Sequence, residues 1–399
     1  MKPQAYSPIW AFNTVLRART ARWQRQQLVT PAQLAAIETA YPLDYYRPAW
    51  PLRAGLFIFA SIGLAMASGF AYLLTGLRTP LAAAMLFGVA CFAVLELVIR
   101  EQRHYHAGDD NALLYAGLGT AVGLIFYVFT EHIWPVSLGN TGLDNPYIAM
   151  PLLLALALLA GASYRYADAL VMAATAGTAL LLVVLFGLQT ALGTALLPFL
   201  LMGAAVGLLA LYRLLCRRVA GTGLADYYAA SFLTLKVVAL VVFYLGGNYL
   251  VVREGNAELH HIYQSTQIPF ALVFYALTAG VPVLYIVVGL RRADRPVLLL
   301  GLLAVAFSVF TLRHYRSLLP PEVAAVAAGA LLTVLAGALL RYLRPARFGL
   351  TSLPDDEPRH FNLENLVQAQ TAHAPGAPAG GGFEFGGGHS GGGGATGRF

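Results

Sequence analysis

Residues Asp168–Leu188 read DALVMAATAGTALLLVVLFGL, 21 residues with a single charge at the first position. As a helix this stretch rises about 30 Å, the thickness of a bilayer's hydrocarbon core. Its apolar run is continuous rather than alternating, and too long for a barrel strand. Four runs of the same kind precede it: Ala54–Leu77, Pro80–Ile99, Asn111–Thr130 and Pro146–Ser163. Five follow: Gly193–Leu215, Tyr227–Val252, Ile268–Leu290, Pro296–Leu312 and Glu322–Leu340. The pattern predicts an all-α polytopic transmembrane bundle of about ten spans over residues 51–345. Small cytoplasmic helices over 1–50 precede it, and a tail over 346–399 follows, Gly-rich and disordered from about 375.

Composition agrees. Of 399 residues, 58% are hydrophobic and 11% charged, against roughly 25% charged in soluble domains. A water-soluble enzyme is excluded. Cys91 and Cys216 both fall inside apolar runs, which excludes a disulfide framework and a cysteine zinc cluster. The first span is expected to act as an uncleaved signal-anchor, since the stretch before it is polar and arginine-rich. The net charge of +7 is explained by arginines that set topology, not by nucleic acid.

Arginine also gives orientation. Lys2, Arg17, Arg19, Arg22, Arg25, Arg47 and Arg53 precede or open the first span. The even-numbered turns carry Arg100 and Arg103, Arg165, Arg213 with Arg217 and Arg218, and Arg291 with Arg292 and Arg295; the tail opens with Arg341, Arg344 and Arg347. The other side holds Arg78, Arg253, Arg313 and Arg316. Both termini are therefore expected in the cytoplasm of a multi-pass inner (plasma) membrane protein. At the basic turns an aspartate follows: Asp109 and Asp110, Asp168, Asp226, Asp294. Two readings stand. These carboxylates cap helix starts, or a helical hairpin has been duplicated.

Near the N-terminus, Ser7-Pro8 reads as a helix start, with Ile9, Phe12, Leu16 and Trp23 on one face. Thr30 and Gln33 form a capping box with Pro31 in the first turn, and Val29 and Leu34 can staple. This region either lies on the anionic leaflet or packs as a hairpin on the cytoplasmic loops.

The stretch Trp23-Gln24-Arg25-Gln26-Gln27-Leu28-Val29-Thr30-Pro31-Ala32-Gln33, followed by an arginine-flanked first span, resembles a broad group of predicted bacterial polytopic membrane proteins of unknown function. They share a short N-terminal cytosolic helical segment. The match covers about 30 residues plus hydropathy, and Gln27 stands where the group commonly has glycine. The resemblance implies a membrane location and transfers no site.

Charges inside spans are the main candidate site. Lys236 is expected to face the bundle interior and to pair with Glu96 or a tyrosine hydroxyl, because the depths of Lys236 and Glu96 from the same side can match once the lysine stem reaches back. Pro198 and Pro282, with Gly280, mark helix breaks that could line a solute path. Glu254, Glu258 and His261 share a face if their loop is helical, but no known metal spacing is matched, and no cofactor is assigned. Gly119 with Gly123, and Gly203 with Gly207, form GxxxG pairs suited to close helix approach or a homo-oligomer. With twelve glycines among its last 25 residues, the tail could recruit a protein partner. Nothing matches a phosphate loop, a dinucleotide fingerprint or a nucleophile elbow. The leading functional reading is a non-enzymatic scaffold, sensor or assembly factor. A transporter or channel for a small solute or ion is the alternative, and a membrane-embedded enzyme a second.

Overall fold

A computed structural model describes residues 3–75, 80–134, 145–260, 263, 265–315 and 321–344. The tail, Arg316 and His261 lie outside them. The described chain is helical and contains no strand; a lone bridge joins Tyr46 to His104. Two short helices, α1 (Pro8–Arg25) and α2 (Pro31–Ala40), come first. Then follow α3 (Trp50–Leu74), α4 (Pro80–Glu101), α5 (Asp109–Val128), α6 (Ala149–Tyr166), α7 (Ala169–Leu188), α8 (Ala191–Val219) and α9 (Ala225–Gly247). The chain ends in α10 (Tyr249–Leu259), α11 (Ala271–Arg291), α12 (Arg295–Tyr315) and α13 (Pro321–Tyr342). Among the described residues nine helices, α3 to α9 with α11 and α12, are long and apolar enough to cross a bilayer. The tenth expected span is α13, whose Gly329–Tyr342 portion is a shorter apolar helix. Helix α3 leaves Phe59, Ile62, Met66 and Phe70 more than half exposed. In water that face would drive aggregation; in a bilayer it is solvated by lipid.

Caps set several helix starts. Gln33 N–H donates to Thr30 Oγ1 at 3.3 Å while Thr30 N–H donates to Gln33 Oε1 at 2.9 Å, the reciprocal box read from the sequence. Ser7, by contrast, makes no side-chain cap. Gln27 closes α1 in the left-handed region at φ 59°, a conformation that favours glycine. Helix α1 turns Ala11, Asn13 and Thr20 inward and leaves Ile9, Phe12 and Trp23 exposed. Three of its four stripe residues are therefore exposed, with Leu16 half-buried.

Neighbouring helices pair as hairpins: α4 with α5, α6 with α7, α8 with α9, α11 with α12. Helix α3 lies against the first of these pairs, and α7 lies in the same way against α8 and α9. The turns repeat as well. Arg165-Tyr166-Ala167-Asp168-Ala169-Leu170-Val171 and Arg291-Arg292-Ala293-Asp294-Arg295-Pro296-Val297 share R-x-A-D-x-x-V. Both alanines are left-handed, at φ 49° and 53°. In each case the aspartate accepts from a residue one hairpin earlier, Asn111 for Asp168 and Lys236 for Asp294. The recurrence extends beyond capping to tertiary pairing.

Close helix approach falls elsewhere than at the GxxxG pairs. A Cβ added at Gly119, Gly123, Gly203 or Gly207 would meet nothing within 4 Å. At Gly289 it would sit 2.7 Å from Leu298 N, and at Gly301 2.9 Å from Ile286 N, so these two glycines seat α11 on α12.

Candidate functional site

The largest core cluster lies at the arginine-rich ends of the helices, where the N-terminal segment meets the bundle. Ala5 N–H donates to Arg165 carbonyl at 2.9 Å. This anchors the chain so that Tyr6, 1% exposed, reaches Asp110, whose side chain is wholly buried. The Tyr6 hydroxyl donates to Asp110 Oδ2 at 2.8 Å. His106 N–H donates to the same oxygen at 2.8 Å, while Gly108 N–H and Asn111 N–H donate to Oδ1 at 3.0 and 2.9 Å. A carboxylate offers about four acceptor sites, and here all are used by the chain's own donors.

Asp168 forms the second half of the cluster. It caps α7 through Val171 N–H at 3.0 Å, and it accepts from Asn111 Nδ2 at 2.9 Å and the Tyr115 hydroxyl at 3.0 Å. Asn111 thus ties the two carboxylates together: its backbone serves Asp110 and its side chain serves Asp168. His106 Nδ1 lies 3.9 Å from Asp168. Above them Tyr45, Tyr105 and Tyr6 stack edge to face at 5.3–5.4 Å, and Arg47 lies over the Tyr105 ring at 5.0 Å. Burial, then Asp110, pushes the Tyr6 phenol well above its ordinary value, and burial pushes Tyr105 up to about 12. Both remain neutral donors at any physiological pH.

The turn that holds Asp110 depends on Gly108, at φ 114°. A Cβ there would stand 2.2 Å from Arg53 carbonyl, where α3 crosses the turn. Gly108→Ala is expected to cost about 2 kcal/mol from backbone strain and this clash. Thermal unfolding in detergent checks it; an unchanged melting temperature would contradict the packing.

His106 gives the cluster a pH dependence. Burial pushes its imidazole below the ordinary value, against the pull of Asp110 and Asp168, with Arg47 and Arg53 adding to the depression. Its folded pKa lies below its unfolded one, so its stability contribution is complete above about 6.5 and is lost as pH falls below that. Melting temperature is expected to decline from pH 7 to pH 5, and His106→Gln to flatten that slope. A slope unchanged in the variant would contradict this assignment.

The expected Lys236–Glu96 pair is not formed. Lys236 Nζ donates to Asp294 Oδ2 at 2.5 Å and lies 5.8 Å from the Tyr212 ring. Glu96 instead accepts from Arg165 Nη2 at 2.5 Å and from the Tyr166 hydroxyl at 3.1 Å, with Arg100 at 3.2 Å. Depth was not the obstacle. Helix α9 neighbours α11 and α12, whereas α4 neighbours α3 and α5. The prolines differ. Pro282 is buried and deprives the Thr278 carbonyl of its helical donor; Ser308 Oγ lies 2.6 Å from that oxygen and replaces it. Gly280 faces outward into open space. Pro198 lines a cavity of about 900 Å³ between α8, the end of α9, α10 and the start of α11. Glu254 is held by Ser265 at 2.8 Å and by the Tyr315 hydroxyl, and Glu258 is exposed. Among the described residues no group of three or more His, Cys, Asp or Glu side chains could hold a metal ion.

The sequence offers Asp110 and Asp168 as helix caps or as marks of a duplicated hairpin, and neither reading points to their shared Asn111, Tyr115 and Tyr6. The available signal was Gly108-Asp109-Asp110-Asn111, a second carboxylate and an amide beyond the one a cap requires. Chemically the cluster joins three parts of the chain: the N-terminal segment, the α4–α5 turn and the start of α7. The chain matches no protein-family model, no curated protein and no solved structure.

Proposed function

We propose that this is a non-enzymatic scaffold or sensor of a bacterial plasma membrane, whose N-terminal segment is a cytoplasmic docking lobe clamped to the bundle. The observation that carries the reading is the Tyr6–Asp110 hydrogen bond, a buried polar joint between residues 104 apart. Such a joint fixes the orientation of α1 and α2 while leaving Ile9, Phe12, Trp23 and Leu28 exposed beside Arg19, Arg22 and Arg25. Mixed aromatic and arginine surface is the composition of protein interfaces. The partner is a membrane-associated protein. The test places a photoreactive phenylalanine at Ile9 in cells. A discrete protein adduct is expected, and it should weaken in Asp110→Asn. No adduct, or one indifferent to Asp110, would overturn the proposal. The cytoplasmic placement is checked by reporters fused after residues 140 and 347, which should give opposite readings.

A second reading, passage of a proton or small cation, is favoured by one feature. A cavity of about 450 Å³ between α3, α4 and α5, bordered by Ser61, Ser68 and Thr120, reaches Tyr115, which binds Asp168. Ion flux into proteoliposomes that is abolished by Tyr115→Phe would favour it over the docking lobe.

A further inference from the structure

The cavity beside Pro198 is unlike the rest of the molecule. It runs down α8 from Ala191 to Leu201, ten residues or about 15 Å. That is half of a hydrocarbon core of about 30 Å, hence the depth of one leaflet. It opens at the end of the bundle opposite the arginine-rich turns, since α8 ends at Arg217 and Arg218. No Lys, Arg, Asp or Glu lines it. Its polar side chains are Thr194, Asn256 and His260.

One of these has unused bonding capacity. Proline at 198 has no N–H to give the Thr194 carbonyl, the acceptor four residues before it. The same defect at Pro282 is repaired by Ser308, but no side chain fills the Thr194 carbonyl among the described residues. An acceptor left without its helical donor at the head of an apolar, chain-deep slot calls for a ligand with one donor and one hydrocarbon tail. We propose that the cavity binds a neutral single-chain lipid whose polar end is a hydroxyl, with the hydroxyl donating to Thr194 carbonyl and the chain running toward Leu201. A phosphate or carboxylate head finds no lysine or arginine there, and a peptide would leave its backbone groups unsatisfied.

Gly255 supplies the test variant. It lines the cavity, and a Cβ added there meets nothing within 4 Å, so Gly255→Leu can extend a side chain into the slot. Full-length protein in phosphatidylcholine nanodiscs is irradiated with a diazirine-bearing long-chain alcohol. Labelling is expected on the first half of α8 and on α10. It should be competed by hexadecanol but not by hexadecanoic acid. Gly255→Leu is expected to reduce it about tenfold, equivalent to about 1.4 kcal/mol. Pro198→Ala, which returns an N–H to Thr194, should reduce it without lowering the melting temperature. Unchanged labelling in Gly255→Leu would overturn the proposal, as would equal competition by the acid. Labelling that rises as the protein is diluted would show a second copy in the slot and would overturn it too.

Discussion

Asp110→Ala is expected to destabilise the protein by about 4 kcal/mol and to free its N-terminal segment. The substitution leaves the Tyr6 hydroxyl and the N–H groups of His106, Gly108 and Asn111 without an acceptor, in a site closed to water. Each orphaned donor costs about 1–3 kcal/mol, and partial rehydration keeps the total below their sum. Tyr6→Phe removes one donor and leaves the carboxylate its three backbone partners, so about 1 kcal/mol is expected. The two effects separate by trypsin digestion as well as by melting. Arg17 and Arg22 should become cleavable in Asp110→Ala long before the bundle unfolds. Wild-type resistance to trypsin in that variant would mean that the lobe is held by other contacts.

The second large effect concerns the turn that repeats the first one. Lys236→Met is expected to cost about 3 kcal/mol, because it strands the Asp294 carboxylate against an apolar helix. Lys236 is 12% exposed and Asp294 25% exposed at the side chain, which keeps the figure at the low end for a broken buried pair. Asp294→Asn added to Lys236→Met should restore about half of the loss, whereas Glu96→Gln added to it should be additive within about 0.5 kcal/mol. Coupling of Lys236 to Glu96 rather than Asp294 would contradict the helix order.

Why the partner of Lys236 was not legible follows from what a sequence encodes about a bundle. Hydropathy and arginine give the depth of each residue along the membrane normal, and both Lys236 and Glu96 were placed at workable depths. Lateral order is carried by packing, by pairs such as Gly289 on Leu298 and Gly301 on Ile286, which look like ordinary small residues in an apolar run. The helices themselves were legible, along with the Thr30–Gln33 box, because those signals are local. The cluster around Asp110 was legible only in part. Its acids were visible as caps, but Tyr6 lies 104 residues away. The buried face of α1 carries Asn13 and Thr20, which no apolar periodicity marks.

Hydrogen exchange at residues 3–25 of the full-length protein in nanodiscs tests the docked lobe most directly. The Ala5 amide, bonded to Arg165 carbonyl, and the amides of α1 are expected to be protected in the wild type and to exchange at the rate of a free helix in Asp110→Ala, with α5 to α9 still protected. Rapid exchange of this segment in the wild type, or protection that survives the loss of Asp110, would contradict the clamp.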